Sequence, residues 1–387
     1  MPHLDCPEFH TLSWTAYSQR LSEKAAAVLE RRQLERCVGS FRKQGIDLAQ
    51  YNSLALAADV NDARRALGYE KIVYYGASYG SQLGQHVMRD FPAILHAVIL
   101  DGTSALSRKS WVEDRAIDLE FSLRQLDTLC REDEKCHAAF DVPALLQKGL
   151  ALFDQGPIPA SFVDPGQPGK TFPIEVSKRD FVSLVYEKLG YKIGVASLPF
   201  ILVQLTKDGR DSMGQALGQW RGEKLLASRN ARGGELATVM YMAVVCSDDP
   251  VRSPAEVIRK GAGPLPLLFA DAAAQELMRM CKAVKVPSLP DWTDANVKSD
   301  IPTLILSGRL DAQTPTFRSE EVKKTLGKAQ LVVFPDGTHV QVGAVNTCAM
   351  KMIAQFPNNP QGDVATDCLR DHVLPGFVLP DGTISKP

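Results

Sequence analysis

Ile72-Val73-Tyr74-Tyr75-Gly76-Ala77-Ser78-Tyr79-Gly80 is the stretch on which the reading of this chain turns. The apolar run Ile72-Val73-Tyr74-Tyr75 predicts a buried strand, and Gln82-Leu83-Gly84-Gln85-His86-Val87-Met88-Arg89 predicts a helix with Leu83 and Val87 on one face. A G-x-S-x-G between a strand and a helix is a nucleophile elbow, a strained turn that lifts a serine hydroxyl above the end of a sheet. The turn is tight enough that a side chain is expected to collide at either flanking glycine, Gly76 or Gly80. A Gly-rich turn with no chemistry carries the same five letters, so the motif needs partners, and they must follow in the order Ser, Asp or Glu, His.

Both partners occur downstream. Ile301-Pro302-Thr303-Leu304-Ile305-Leu306 predicts a second buried strand, and Ser307-Gly308-Arg309-Leu310-Asp311 places a carboxylate just past its end. Thr314-Pro315 then breaks the loop and opens a helix. Gln330-Leu331-Val332-Val333-Phe334 predicts the next strand, and Pro335-Asp336-Gly337-Thr338-His339 the loop after it. His339 is therefore the expected base and Asp311 the expected acid, with Asp336 as the fallback carboxylate. His86 and His96 fall on the helix after the elbow and at the start of the following strand, where a packed or solvated histidine is the simpler reading. The expected chemistry has His339 take the Ser78 proton while Asp311 orients the imidazole. Ser78 attacks a carbonyl, and the Tyr79 backbone N–H serves as one oxyanion donor.

With these residues the chain resembles the tripeptidyl-aminopeptidase-like branch of the α/β-hydrolases, related to prolyl aminopeptidases. Four matches carry the likeness: Gly76-Ala77-Ser78-Tyr79-Gly80 with a helix ending at Phe91-Pro92; the strand Ala97-Val98-Ile99-Leu100-Asp101-Gly102; Ser307-Gly308-Arg309-Leu310-Asp311 with Thr314-Pro315; and Gly337-Thr338-His339 followed by Cys348 and Cys368. The approach to the elbow, from Tyr51-Asn52-Ser53 through Ala58-Asp59-Val60 to Ala66-Leu67-Gly68-Tyr69, is similar to this branch as well. The likeness runs along the chain and is most specific over residues 45–105 and 300–370. It implies a mostly parallel α/β-hydrolase sheet with an inserted, mainly helical cap. The expected division is residues 1–108 and 297–387 for the core and 109–296 for the cap.

Members of that branch carry a long stretch before the segment that matches Leu4-Asp5-Cys6-Pro7-Glu8, with the first strands and a His-Gly-rich loop giving a second oxyanion donor. No such loop is found here, so the chain is expected to begin after the fourth strand, either truncated or evolved without that half. The elbow strand (residues 71–75) then becomes an edge, which invites pairing with another chain. Two remedies are expected: a homodimer through that edge, or cover from the chain's own N-terminal segment. Loss of one oxyanion donor costs about 10²–10³ in rate, which favours activated esters over amides.

The chain has 387 residues and a net charge of −1, with 44 Lys+Arg against 45 Asp+Glu. No basic stripe points to nucleic acid or an anionic membrane, and no apolar run approaches the roughly 18 residues of a membrane span. Gly190-Tyr191-Lys192-Ile193-Gly194 is not followed by the G-K-[ST] of a phosphate loop, and no cofactor is implied. The eight cysteines show no zinc-ligand spacing. They are read either as buried free thiols or, favoured by the even count in close sequential pairs, as disulfides 6–37, 130–136, 246–281 and 348–368; the family likeness implies the same pairing. Disulfides place the protein in an oxidising, exported location, periplasmic or secreted.

The cap region is expected to be helical at 111–129, after Ser177 with Asp180 in the first turn, at 198–205 and at 236–245, with a Pro/Gly-rich loop over 156–173. Glu235, Asp248 and Asp249 are the acidic candidates. In aminopeptidase relatives such residues bind the substrate amine; the alternative is solvated carboxylates or helix caps. The expected activity is a serine hydrolase acting on peptide N-terminal amides or small esters. The alternatives are a carboxylesterase without peptidase activity and a non-catalytic remnant that binds a partner.

Overall fold

The computed structural model describes residues 3–108, 112, 114–233, 237–344 and 346–385. Its strands are β1 (Ile72–Ala77), β2 (Leu95–Asp101), β3 (Ile158–Val163), β4 (Thr171–Val176), β5 (Thr303–Gly308) and β6 (Ala329–Phe334). Four of them form one parallel sheet in the order β1-β2-β5-β6. Such a sheet is stable only when both faces are covered, and the strand residues alternate accordingly. Val98, Leu100 and Ile305 point to one face with Val87, Met88 and Val322 from the flanking helices and with Leu326. Ala97, Ile99, Leu304, Leu306, Val332 and Phe334 point to the other, under Ala349 and Met352 of helix Thr347–Gln355.

β1 is an edge, as expected, and no strand among the described residues pairs with its outer side. Val73 and Tyr75 are each 39% exposed there. Among the described residues the N-terminal segment adds no strand to this edge. It is helical instead: Leu34 and Val38 of helix Glu23–Lys43 pack with Met280 and Val284 of helix Pro264–Val284. Leu4 is fully buried, and its carbonyl accepts from the Val239 N–H at 2.9 Å.

Between β2 and β5 the chain is mainly helical. Residues from helices Arg115–Glu132, Lys178–Leu189, Lys192–Thr206 and Arg210–Asn230 share one apolar cluster. Ser177 opens helix Lys178–Leu189 as expected, its N–H donating to the Asp180 carboxylate at 2.7 Å. The stretch expected to be a loop over 156–173 is instead an antiparallel hairpin, β3 with β4. Ile158 and Phe162 are buried while Pro159, Ser161 and Val163 face out, the period-two alternation of a strand; only Pro165, Gly166, Pro168 and Gly169 lie in its turn, while Pro159 and Pro173 sit within the strands. Among the described residues no helix is long and apolar enough to cross a membrane.

Candidate active site

The elbow is built from the expected turn. Ser78 follows β1 at φ 54° and ψ −122°, and Tyr79 begins helix Tyr79–Asp90. A non-glycine residue at positive φ persists only when its surroundings over-determine it. Here the Ser78 N–H donates to the Asp101 carbonyl at 2.9 Å, and the Ser78 carbonyl accepts from the Ser81 N–H at 2.8 Å and the Ser81 hydroxyl at 2.6 Å. The Tyr79 N–H stands at the first position of the helix, where backbone donors point along the axis toward the elbow.

β5 and β6 deliver the other two residues to the same end of the sheet. The Ser78 hydroxyl donates to His339 Nε2 at 2.8 Å, and His339 Nδ1 donates to Asp311 Oδ2 at 2.9 Å. Asp311 is fully buried. Its Oδ1 accepts from the Gln313 and Thr314 backbone N–H groups at 2.8 and 2.9 Å, and its Oδ2 accepts from the Thr314 hydroxyl at 2.6 Å. Burial pushes the Asp311 carboxyl up, but the hydrogen bonds from His339 and Thr314 outweigh it and hold the group below the usual carboxylate range. Leu310 and Ala312, on either side, sit in the apolar cluster of the cap, and the Asp311 carbonyl accepts from the Ser122 hydroxyl at 3.2 Å. The helical region between β2 and β5 thus contacts the acid loop through Ser122 and this apolar cluster.

The rival residues are occupied elsewhere. Asp336 pairs with His372 at 2.9 Å and with Lys192. His86 is buried beside Arg89, and burial together with that guanidinium pushes its pKa down to about 4. His96 is exposed and contacts the Pro357 carbonyl. Of the acidic cap candidates, Glu235 lies outside the described residues. Asp248 accepts from the Ser53 N–H at 3.0 Å and the Ser53 hydroxyl at 2.5 Å, which caps helix Ser53–Ala66. The Ser53 hydroxyl lies 2.6 Å from the Tyr79 hydroxyl, so Asp248 connects to the residue after the nucleophile. Asp248 and Asp249 line a small cavity with Gln82, His86 and Leu106.

Two features escaped the sequence reading. Arg318 and Arg108 are buried against Asp118, with Asp114 also on Arg318, an ion-pair cluster joining helix Arg115–Glu132 to the core. Asp101, at the end of β2, supports both the elbow and the His339 loop. Its only signal was a carboxylate at the carboxyl end of a parallel strand, where sites of this architecture form.

Residues 37–233, half of the chain, match the family described as the alpha/beta hydrolase fold. The chain belongs to the α/β-hydrolase family. Residues 265–368 of this α/β-hydrolase match the family described as TAP-like protein, in agreement with the likeness read from its motifs. Serine protease Hip1 of Mycobacterium tuberculosis is 23% identical to it over 343 residues, which cover 83% of this chain and 62% of that protein. Hip1 of Mycobacterium bovis matches to the same extent. The α/β-hydrolase therefore spans less than two thirds of the length of these relatives. Among solved structures, an esterase from Exiguobacterium antarcticum is 11% identical, covering 81% of this chain and 76% of that chain, at a TM-score of 0.32. A thermophilic esterase from Thermogutta terrifontis is 16% identical, with 80% and 74% covered, also at 0.32. The eight cysteines of the α/β-hydrolase form the four expected disulfides, Cys6–Cys37, Cys130–Cys136, Cys246–Cys281 and Cys348–Cys368, which suggests an oxidising, extracellular environment.

Proposed function

We propose that this α/β-hydrolase is a serine hydrolase that cleaves peptide N-terminal amides or small carboxylic esters through an acyl-enzyme. The observation that carries the reading is the continuous relay from Ser78 Oγ to His339 Nε2 and from His339 Nδ1 to the buried Asp311. His339 removes the Ser78 proton as Oγ forms a bond to the substrate carbonyl carbon. The carbonyl oxygen takes the charge, and the Tyr79 N–H is placed to receive it. Collapse breaks the bond to the amine or alcohol, which leaves with the proton held on His339. Water then attacks the acyl-Ser78 ester with His339 again as base, releasing the acid and restoring the hydroxyl. Asp311 keeps the imidazole in the tautomer that both halves require.

The contact of the helical region between β2 and β5 with the acid loop supports reading that region as a cap that shapes the substrate pocket. The name of the Hip1 relatives, serine protease, favours an amide substrate. The four disulfides favour a periplasmic or secreted location. A fluorophosphonate probe tests the central claim. Stoichiometric labelling is expected, lost in Ser78→Ala; a wild-type protein that does not label would support the non-catalytic reading. Aminoacyl- and tripeptidyl-anilides run beside p-nitrophenyl esters then separate peptidase from esterase.

A further inference from the structure

Asp101 is a buried carboxylate between the elbow and the base loop that the reaction leaves unused. It closes β2 and is fully buried. Its main-chain carbonyl accepts from the Ser78 N–H at 2.9 Å, within the strained elbow itself. Its side chain reaches the other way. Oδ1 accepts from the Gln341 N–H at 2.8 Å, and Oδ2 accepts from the Val342 N–H at 3.1 Å and the Tyr75 hydroxyl at 3.0 Å. The segment it grips starts two residues after His339.

That segment needs gripping. Val340, next to His339, has φ 62°, in the left-handed region that a β-branched residue rarely enters. Such a residue stays there only when neighbouring bonds hold it, and the two amides bound by Asp101 are the next two in the chain. Gly102, immediately after Asp101, has φ +63°, and a Cβ on it would lie 3.2 Å from His339 Cε1. The end of β2 therefore sets the elbow by its carbonyl, the base loop by its carboxylate, and the imidazole by its backbone.

We propose that Asp101 is a positioning residue that fixes Ser78 and His339 relative to each other by holding the strained 340–342 segment. The proposal rests on the Ser78–His339 reading above. Asp101 touches no substrate in this role, so its loss acts on kcat and leaves KM in place. Asp101→Asn keeps the shape but turns an N–H₂ donor toward amide or hydroxyl donors.

The test compares wild type, Asp101→Asn and Asp101→Asn/Val340→Gly. A misplacement of about 1 Å lowers rates by roughly 10²-fold, so kcat on a p-nitrophenyl ester and the fluorophosphonate labelling rate should fall by roughly 10- to 100-fold in Asp101→Asn, with KM within about twofold. Val340→Gly removes the left-handed penalty and should recover part of that loss. Backbone hydrogen exchange at 341 and 342 should speed up at least about tenfold in Asp101→Asn, whether or not the protein turns over substrate. Unchanged exchange there, or labelling within about twofold of wild type, overturns the proposal. A wild type that never labels overturns the hydrolase reading instead, and the exchange result still decides the role of Asp101. If Asp101→Asn does not fold, Tyr75→Phe removes one of the three donors and should lower kcat about fivefold, the worth of a single hydrogen bond; an unchanged kcat overturns the proposal.

Discussion

Replacing Gly76 by alanine should break the elbow, whereas replacing Gly80 should not. Expecting collisions at both glycines treated the motif as symmetric, and the structure is not. A Cβ on Gly76 would lie 2.1 Å from the Gly80 carbonyl oxygen and 2.7 Å from Tyr74 Cε1. Ordinary contact begins at 3.4 Å, so the strand end and the first helical turn must part by more than 1 Å. The neighbour is backbone and cannot swing aside. Ser78 rides between the two parts, and its hydroxyl is 2.8 Å from His339. A displacement of about 1 Å lowers catalysis by roughly 10²-fold, and the overpacking costs about 1–3 kcal/mol of stability. Gly80 is the second residue of helix Tyr79–Asp90, and the nearest atom to its Cβ would be the Tyr74 hydroxyl at 3.9 Å. Gly80→Ala should therefore keep activity within a few-fold and gain about 0.5–1 kcal/mol from helix propensity. Steady-state hydrolysis of p-nitrophenyl acetate and urea unfolding of both variants measure this. Equal losses in the two variants, or an active Gly76→Ala, would refute the steric argument.

Three further outcomes follow from the geometry. Burial raises the Asp248 carboxyl from 3.8 to about 6, with the Ser53 hydrogen bonds pulling the other way. An acid raised in the folded state contributes stability that is present below its unfolded value and is lost as pH rises through about 6; at 1.36 kcal/mol per unit that is about 3 kcal/mol. The stability gap between Asp248→Asn and wild type should accordingly widen in favour of the variant by about 2 kcal/mol from pH 4 to pH 8, and a gap independent of pH refutes the assignment. Cys246–Cys281 closes 35 residues and Cys130–Cys136 only 6; chain entropy predicts losses of about 4 and about 2 kcal/mol when each pair becomes serine, and urea melts showing the reverse order would sink that account. The open edge of β1, with exposed Val73 and Tyr75, favours pairing with a second copy. Light scattering should show a dimer that Val73→Lys dissociates, and a wild type monomeric at every concentration removes the idea.

Ser78, Asp311 and His339 were legible because each is fixed by something local. Every one follows an apolar run that reads as a strand, and parallel strands put all their carboxyl ends on one side of the sheet. Order along the chain then did the rest. Asp101 ends such a run too, in Leu100-Asp101-Gly102, yet it was read only as part of the strand over 97–102. Its role depends on backbone amides 240 and 241 positions away, and no local pattern encodes that meeting. The β3–β4 hairpin was hidden by composition, since counting Pro and Gly over 156–173 drowned the alternation of Ile158 and Phe162. Asp248 was visible as a residue and opaque as a role: a carboxylate beside a cysteine has the same spelling whether it awaits a substrate amine or caps the helix that starts at Ser53. The divide follows from physics. Strand ends are set by side chains within a few residues, so sequence reveals which groups arrive at the site. Holding them within about 0.5 Å is the work of a supporting shell drawn from distant segments, and that shell becomes readable only when the sheet has brought those segments together.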